Sequence, residues 1–491
     1  MDLVAIDLDS SGIRGEYLGK GDLSMIRGNN ECLVLGLEFI PGMLVECWIY
    51  VPKEYWLYLF SGDVNEAVVD QMGRMASVKG IMGRLVGLPD VHAGKGFPVG
   101  VSAWFEELSE GGGGGEILPE AIGSDVNCGV RIWQSNVRVS EFLSKQEEVL
   151  AGIKEAVPIQ IRNEPSSLDM KRVLVEGLGY LESVGIISRE DRLGTDMCGE
   201  MSVSSYKIVG QKARFRGSMH MGTLGGGNHY LEFLRITDIF AREDIELLGM
   251  SKEVVYVAVH TGSRGIASRA LTEFMSSLTA ENGLVGENPV RLDVCSSKGE
   301  EYLELVAALA NYAFCNRTMI GKAVENVLGT IFTGAKLTLI SDSPHNLITK
   351  EKINTKPVLS LRKGSTKVHP PFSATANQLF PSISPVFVGG SMTTGGYLIK
   401  AGHNSQVTNH TTCHGSGRLV RRKDARTQIA LASTLAQIEA AAVLVHADSL
   451  TSLPEESQDV YKSIDKVVDF CETTQLSQKI CKLTQLLVLK G

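Results

Sequence analysis

Residues 254–265 read Val-Val-Tyr-Val-Ala-Val-His-Thr-Gly-Ser-Arg-Gly, an apolar run that ends in His260 and a glycine-containing turn. The apolar run predicts a buried strand. The histidine at its tip lies beside open backbone, where it suits a metal or a phosphate better than it suits packing. The same pattern recurs after residue 218, where short apolar runs adjoin clusters of Gly, Ser, Asn and His. We therefore predict strands at 230–236, 254–259, 337–340, 358–361 and 386–388.

Other segments predict helices and one hairpin. Apolar periodicity predicts helices over 63–79, 142–156, 169–184, 301–327 and 427–445. Two β-rich runs, 33–40 and 44–51, flank Pro41-Gly42 and predict a hairpin. Residues 88–101 are too rich in glycine and proline to predict either kind of element. A flexible loop is expected over 106–116, around the run of glycines at 111–115.

The order of these elements favours a single domain. The chain has no convincing linker and no internal repeat, and its polar clusters are spread over residues 90–414. Strands and helices do not alternate regularly, which argues against a βαβ array. We predict an α+β fold in which residues 1–491 form one compact catalytic domain, with β-sheets surrounded by helices and a metal site at strand tips. Within it, residues 1–60 are expected to form an N-terminal strand region.

Composition excludes several classes of protein. Of 491 residues, 43% are hydrophobic and 21% are charged, which is typical of a globular protein and excludes a disordered chain or a coiled coil. The nine cysteines include no Cys-x-x-Cys pair, which favours a reducing, intracellular setting, cytoplasmic or nuclear. No secretory signal or membrane span is expected, and 429–445 is interpreted as a buried helix. The net charge of −8 argues against nonspecific coating of nucleic acid, although basic residues are concentrated at 362–367 and 418–426.

Five histidine-containing segments could supply metal ligands: PDVHAG at 89–94, GGGNH at 225–229, HTGSRG at 260–265, DSPHN at 342–346 and CHGSGR at 413–418. Any one such histidine is more often a satisfied loop residue, but five in one chain favour a site. Asp125 and Cys128 add a carboxylate and a thiolate that can meet if the backbone turns at the flanking glycines. A thiolate can bridge two cations, and two divalent cations suit phosphoryl or nucleotidyl transfer.

Two further features fit phosphate chemistry. Glycine clusters at 223–228 and 389–394 expose backbone N–H groups that could cradle phosphate oxygens, although each alone is more often a tight turn. His414 precedes Arg418, Arg421 and Arg422, and nearby arginines oppose protonation of an imidazole and neutralise phosphate charge. His414 could therefore attack a nucleotide phosphorus. A further metal ligand or a structural residue is an equally good interpretation of His414 on this local pattern.

Taken together, the motifs resemble those of the RtcB family of RNA-splicing ligases. In the family's order they are PDVHAGKGFPVG at 89–100, DVNCGVR at 125–131, GTLGGGNHYLE at 222–232, HTGSRG at 260–265, NYAFCNR at 311–317, HNLITKE at 345–351, RKGST at 362–366, GGSM at 389–392, TTCHGSGR at 411–418 and the final Lys490-Gly491. The segments RKGST and TTCHGSGR, with YKSIDKVVDFC at 461–471, resemble the eukaryotic and archaeal branch more than the bacterial one.

The resemblance implies an RtcB-like fold and a GTP- and Mn²⁺-dependent ligase that joins RNA 2′,3′-cyclic phosphate or 3′-phosphate ends to 5′-hydroxyl ends, as in tRNA splicing. It implies that His414 takes GMP, and that two Mn²⁺ ions share Cys128, with the further ligands Asp125, His229, His260 and His345. The implied GTP pocket comprises Asn228, Glu232, Asn346, Gly389, Ser391, Gly396, Gly415, Gly417, Tyr461 and Lys490. The candidates for contact with RNA ends are Asp90, Arg264, Arg362, Lys363 and Arg418. The implied partners are RNA, the activator archease and a helicase-containing tRNA ligase complex, with no membrane.

The chain departs from the family pattern at Gly396, where the family usually has a serine that would contact guanine. Losing one hydrogen bond to a base edge costs on the order of 1 kcal/mol, which weakens a preference for GTP without abolishing activity. Two alternatives stay open: a related metal-dependent nucleotidyl- or phosphoryl-transfer enzyme acting on other ends, and a non-catalytic subunit of an RNA complex. The complete set of metal ligands together with His414 favours the active ligase.

Overall fold

Two large sheets and the helices that cover them build the fold in the computed structural model, which describes residues 3–6, 13–62, 67–107, 114–282, 289–353, 355–373 and 376–491. The α+β class is as predicted. The predicted loop at 106–116 falls largely on residues outside this description, and its two ends, Glu106 and Glu116, lie in strands.

The strands of the described residues are numbered in chain order. They are β1 (Val4–Ala5), β2 (Ile26–Gly28), β3 (Leu33–Leu35), β4 (Cys47–Ile49), β5 (Ile81–His92), β6 (Val99–Glu106), β7 (Glu116–Ile117), β8 (Gly129–Arg138), β9 (Tyr230–Ile239), β10 (Val254–Thr261), β11 (Leu292–Asp293), β12 (Leu337–Pro344), β13 (Asn346–Ile353), β14 (Lys356–Lys363), β15 (Ser365–Lys367), β16 (Val386–Gly389), β17 (Gly396–Ala401), β18 (Thr411–Cys413), β19 (Leu444–Ala447) and β20 (Ser477–Lys490).

The two large sheets draw strands from distant parts of the chain. The first has the order β1-β2-β3-β4-β5-β6-β14-β13, and the second has the order β12-β8-β10-β9-β20-β17-β16, with β19 parallel to β20. All five strands predicted after residue 218 are confirmed as β9, β10, β12, β14 and β16, each longer than its apolar run. Strands β3 and β4 pair antiparallel, as the predicted hairpin requires, although the connection between them is longer than a tight turn.

The helices of the described residues are also numbered in chain order. They are α1 (Ile13–Glu16), α2 (Trp56–Phe60), α3 (Val68–Met75), α4 (Pro119–Ile122), α5 (Val139–Ser144), α6 (Gln146–Ala156), α7 (Met170–Ser183), α8 (Arg189–Leu193), α9 (Gln211–His220), α10 (Arg242–Leu247), α11 (Arg264–Asn282), α12 (Ser297–Ile331), α13 (Arg422–Gln428), α14 (Leu431–Ala440) and α15 (Ile464–Thr473). None of them is long and apolar enough to cross a membrane.

Helix α12 joins the hydrophobic cores of the two sheets. Its N-terminal part, including Leu305 and Phe314, packs in the core that covers the first sheet. Its C-terminal part, including Val324 and Leu328, packs with residues of the second sheet such as Phe233. One helix therefore packs in the cores of both sheets, and the single domain stays a prediction.

Two secondary-structure predictions are wrong. Residues 88–92 lie in β5 and residues 99–101 lie in β6, and only 93–98 between them are irregular. The two strands pair antiparallel because the pairing contains an irregularity that accommodates the glycines and prolines. The helix predicted over 427–445 is broken into α13, α14 and β19. Helix α14 is also not buried, since Thr434 is its one buried residue. A left-handed turn at Ala442, with φ of 52°, ends the helical path and lets 444–447 pair with β20 instead.

Candidate metal centre and nucleophile

Four strand ends of the second sheet bring the predicted ligands to one edge. Strand β10 ends just past His260, which lies opposite Val130 of β8 and Tyr230 of β9. Cys128 and His229 immediately precede β8 and β9, and His345 immediately follows β12, whose last residue lies opposite Gly129. Because neighbouring strands are antiparallel, the starts of β8 and β9 and the ends of β10 and β12 lie at the same edge of the sheet. The predicted location at strand tips is confirmed for the side chains concerned.

The ligand atoms of this edge form two groups that share Cys128. Cys128 Sγ lies 3.2 Å from His260 Nε2, which lies 3.1 Å from His345 Nε2. On the other side, Cys128 Sγ lies 3.5 Å from His229 Nε2, which lies 2.8 Å from Asp125 Oδ2. In each group, the three ligand atoms lie within 4.8 Å of one another. The described residues therefore contain a cluster of Asp, Cys and His able to bind metal.

The electrostatics of the cluster fit cations. His260 and His345 are buried, and burial lowers the pKa of each well below the usual histidine range, so both rings are neutral. His260 Nδ1–H donates to the carbonyl of Asn228 at 3.1 Å, so the proton stays on Nδ1 and the lone pair is on Nε2. Two imidazole Nε2 atoms 3.1 Å apart and a buried sulfur repel one another unless a proton or a cation lies between them. The donor set therefore fits divalent metal ions.

The pKa directions of the other ligands support the same conclusion. Burial, followed by the charge of Asp125, raises the pKa of the Cys128 thiol well above its usual value, so the thiolate needs a nearby cation to form. Burial also raises the pKa of Asp125, but the neighbouring His229 outweighs it and brings the pKa below the usual carboxyl range. Asp125 is thus ionised and available as a ligand.

His414 lies beside this cluster, at the end of β18. Its ring centroid is 4.7 Å from that of His345. Its backbone N–H and its Nδ1 both point at Asp90 Oδ2, at 2.9 Å and 2.7 Å respectively. Since a carboxylate only accepts hydrogen bonds, Nδ1 carries a proton, and in the neutral ring the lone pair is therefore on Nε2. The arrangement suits a neutral imidazole nucleophile.

Asp90 reaches His414 because β5 bulges. Gly87 lies opposite Val101 and His92 lies opposite Val99, so residues 88–91 of β5 stand opposite Gly100 alone. Gly100 has φ of 88°, and a Cβ there would lie 2.6 Å from the Cα of Val91, so only glycine fits at this crossing. The bulge turns the fully buried Asp90 side chain towards β18. The sequence offered Asp90 as a contact for RNA ends, whereas the structure places it on the histidine.

The arginines expected to act on His414 are engaged elsewhere. Arg418 Nη1 donates to Tyr461 Oη at 2.9 Å and lies 3.5 Å from a Glu456 oxygen. Arg422 lies 3.6 Å from the same carboxylate. Glu456, which no sequence motif indicated, also accepts from Tyr461 at 2.6 Å and pairs with Lys490 at 3.0 Å. Its charge organises three cationic side chains on one wall of the site.

A cavity of about 310 Å³ opens over the cluster and His414. Its lining includes most of the residues predicted for the nucleotide pocket: Asn228, Glu232, Asn346, Gly389, Ser391, Gly415, Gly417, Tyr461 and Lys490. Two of the predicted RNA contacts, Lys363 and Arg418, also line it, together with His92, Tyr230, Arg422 and Glu456. Burial raises the pKa of Glu232 to about 7, and Gln485 Nε2 donates to its carboxylate at 3.2 Å.

Four residues predicted for the nucleotide pocket or for RNA contact do not line the cavity: Asp90, described above, and Gly396, Arg264 and Arg362. Gly396 is buried in β17 opposite Gly389, where a Cβ would lie 2.5 Å from the Phe387 ring. Arg264 donates to the carbonyls of residues 159 and 160, beside the metal cluster. Arg362 pairs with Glu351 at 2.6 Å behind the site, and its Nε donates to Thr411 at 3.1 Å. Arg362 therefore supports the strand that carries His414 instead of facing the cavity.

Comparison with known proteins adds an independent observation. The family model described as tRNA-splicing ligase RtcB matches residues 71–491. The chain is 30% identical over 473 residues to the tRNA-splicing ligase RtcB of Archaeoglobus fulgidus, which covers 92% of this chain and 96% of that protein. It is 27% identical over 489 residues to the RNA-splicing ligase RtcB homolog 1 of Entamoeba histolytica, over 94% of this chain and 92% of that protein.

Proposed function

This chain belongs to the RtcB family of tRNA-splicing ligases, and we propose that it is a GTP- and Mn²⁺-dependent ligase that joins RNA 2′,3′-cyclic phosphate or 3′-phosphate ends to 5′-hydroxyl ends. The observation that carries this proposal is the position of His414. Its ring lies 4.7 Å from His345 of the metal cluster, with Nδ1 held by Asp90 at 2.7 Å. A nucleophile held this way beside a dinuclear ligand set suits nucleotidyl transfer.

In the first transfer, His414 Nε2 attacks the α-phosphorus of GTP. The Nε2–P bond forms, the bond to the β-phosphate oxygen breaks, and diphosphate leaves with the electron pair. Asp90 keeps the proton on Nδ1 and stabilises the positive charge that the ring acquires. A 3′-phosphate then takes GMP from His414, after water has opened any cyclic phosphate. The 5′-hydroxyl attacks this activated end, and GMP leaves.

One ion would be held by Asp125, Cys128 and His229, and the other by Cys128, His260 and His345. When bound, such ions neutralise phosphate charge and align attacking and leaving oxygens. Manganese is assigned from the family, because raw affinity at a site of sulfur and nitrogen ligands favours zinc. Metal availability and the oxygen ligands supplied by substrate would have to decide the choice.

The family resemblance implies the roles of the residues predicted for the nucleotide pocket, and most of these residues line the cavity. Glu232 and Lys490 would contact the guanine edge, and Tyr461 would pack on the base. Lys490 is 4% exposed and held by Glu456, so its position is fixed before a base arrives. Phosphate and ribose contacts would come from Asn228, Asn346, Gly389, Ser391, Gly415 and Gly417. Of the predicted RNA contacts, Lys363 is half-buried at the cavity near Asp125, and desolvation of its ammonium lowers its pKa to about 8.

The proposal extends to partners and location. RNA with the stated ends is the substrate, with archease as an activator and a helicase-containing tRNA ligase complex as a setting, in the cytoplasm or the nucleus. The basic residues near the cavity, Lys363, Arg418 and Arg422, provide positive charge for RNA although the net charge is −8.

An RNA-joining assay with defined ends tests this function. One oligonucleotide carries a 2′,3′-cyclic phosphate, a second carries a 5′-hydroxyl, and reactions contain GTP and Mn²⁺ with or without archease. We expect a joined product whose junction phosphate comes from the cyclic phosphate, and no product with 5′-phosphate acceptors. Joining only with 5′-phosphate ends, or none with either acceptor in the presence of archease, would contradict the proposal.

A further inference from the structure

Lys462 is a buried lysine behind the nucleophile. It is 2% exposed. Its Nζ donates to the carbonyl of Pro89 at 2.8 Å and to the carbonyl of Val91 at 2.7 Å. These two residues flank Asp90, whose Oδ2 accepts both hydrogen bonds from His414. Lys462 therefore holds the bulge on both sides of the residue that orients the nucleophile.

Two tyrosine rings and the charge of Asp90 surround the buried ammonium of Lys462. Its nitrogen lies 5.3 Å and 5.5 Å from the ring centroids of Tyr55 and Tyr58. Burial lowers the pKa of Lys462 to about 7, while Asp90 and Cys413 act in the opposite direction. Asp90 is fully buried, and its Oδ1 has no hydrogen-bond partner among the described residues. A buried carboxylate with a free oxygen is unfavourable unless a cation compensates it, and the protonated form of Lys462 supplies that charge.

Lys462 also ties this bulge to the segment that follows the nucleophile. Its backbone N–H donates to the carbonyl of Gly417 at 2.9 Å. Gly417 packs so closely on the bulge that a Cβ there would lie 2.1 Å from the Asp90 carbonyl oxygen. The preceding residue, Tyr461, lines the cavity. Lys462 thus connects the cavity wall at Tyr461, the segment that follows His414, and the bulge that contains Asp90.

We propose that Lys462 is a positioning residue for the transfer of GMP to His414, acting through Asp90. Its two hydrogen bonds fix the 89–91 bulge, and its charge stabilises the Asp90 carboxylate. Asp90 in turn keeps the proton on Nδ1 of His414 and the lone pair on Nε2. Lys462 transfers no proton and touches no substrate. This inference rests on the proposed function of His414, because it concerns the step in which the Nε2–P bond forms and diphosphate leaves.

The test separates the step that uses His414 from a step that does not. Lys462→Met removes the charge and the donors, and Lys462→Gln removes the charge but keeps one N–H donor group. Lys466→Met is the matched control, because Lys466 lies on the adjacent α15 with a side chain 59% exposed and paired with Glu54. The first readout is the rate of covalent labelling by GTP at saturating nucleotide. The second is the joining of an RNA whose 3′ end already carries GMP through a diphosphate linkage, which needs no attack by His414.

We expect Lys462→Met to slow labelling about 10²-fold, the effect of misplacing a reacting group by roughly 1 Å. Lys462→Gln should be slowed less, and Lys466→Met should match the wild type. All three should join the pre-activated RNA at the wild-type rate. Should Lys462→Met fold poorly, Lys462→Gln is judged by the same two rates.

Two results would overturn the inference. Labelling of Lys462→Met and Lys462→Gln at the wild-type rate would show that Lys462 does not act through His414. Equal losses of labelling and of joining of pre-activated RNA in both variants would show a general structural role. Absence of label on the wild-type protein would overturn the proposed function as well, so the two failures are distinguishable.

Discussion

Asp90 Oδ2 accepts two hydrogen bonds from His414, one from the backbone N–H at 2.9 Å and one from Nδ1 at 2.7 Å. One carboxylate oxygen therefore fixes both the main chain and the ring of the nucleophile. The side chain of Asp90 is fully buried, so water does not compete for this contact. The tautomer with a free Nε2 follows from this geometry.

Replacing Asp90 by alanine should slow covalent labelling by GTP at least about 10²-fold, because the ring loses its orientation and its tautomer is no longer fixed. Metal content should stay at the wild-type value, since Asp90 is not part of either ligand group. Single-turnover labelling and elemental analysis measure the two quantities. Asp469→Ala, at an exposed position paired with Lys479, is the control. Undiminished labelling of Asp90→Ala would show that the contact has no role in the transfer.

Cys128 belongs to both ligand groups, so its loss should affect both ions. We expect Cys128→Ser to lose most of its bound Mn²⁺, whereas His229→Ala and His345→Ala should each lose about one of the two ions. Equilibrium dialysis followed by elemental analysis gives the stoichiometry directly. Cys198→Ser, whose cysteine lies outside both groups, should bind as the wild type does. Two tightly bound ions in Cys128→Ser would refute a shared ligand.

Asp342 should be important for stability. It pairs with Arg131 at 3.0 Å and Arg317 at 2.8 Å, and all three side chains are fully buried. Arg317 also donates to the carbonyls of Asn127 and Thr261, which adjoin metal ligands. Because Asp342→Ala leaves two buried cations without their partner, it should destabilise the fold by about 3–5 kcal/mol.

Urea unfolding monitored by circular dichroism tests this expectation. The control is Glu176→Ala, which breaks an exposed pair with Arg172 and should cost less than about 1 kcal/mol. Equal unfolding midpoints for the two variants would contradict the importance assigned to the buried network.

Restoring a serine at position 396 should not sharpen the preference for GTP. A Cβ there would lie 2.5 Å from the Phe387 ring and 2.7 Å from the Val388 carbonyl. Overpacking of this kind costs about 1–3 kcal/mol. We expect Gly396→Ser to unfold at lower urea, with an unchanged ratio of GTP to ATP labelling. A raised ratio would show that residue 396 faces the base, against its position in β17.

The sequence predicted the metal cluster better than the nucleophile's environment. His260 and His345 follow predicted strands, and an antiparallel order brings such strand ends together. Cys128 precedes β8, which was not among the predicted strands. The contact between Asp90 and His414 arises from a bulge in a segment rich in Pro and Gly, where hydrophobic periodicity predicts neither a strand nor a helix. Glu456 and Lys462 were also missed, because their importance depends on partners far away in the chain, such as Lys490 and Pro89.

Contacts between distant parts of the chain also explain the wrong helix prediction at 427–445. Alanine-rich sequence has high helix propensity, but a short parallel pairing of 444–447 with β20 overrides it. The sequence also could not predict the contacts of the Arg362 side chain. A basic residue in a motif suggested an RNA contact, whereas its ion pair with Glu351 places it behind the site. Tertiary contacts decided both cases.

Peptide mapping of the covalent adduct tests whether His414 takes GMP from GTP. The protein is incubated with GTP labelled at the α-phosphate and with Mn²⁺, then digested under alkaline conditions, and the labelled peptide is sequenced by mass spectrometry. We expect an acid-labile, base-stable adduct on His414 and no label on His414→Ala. An unlabelled wild-type protein, or a label that persists undiminished in His414→Ala, would contradict it.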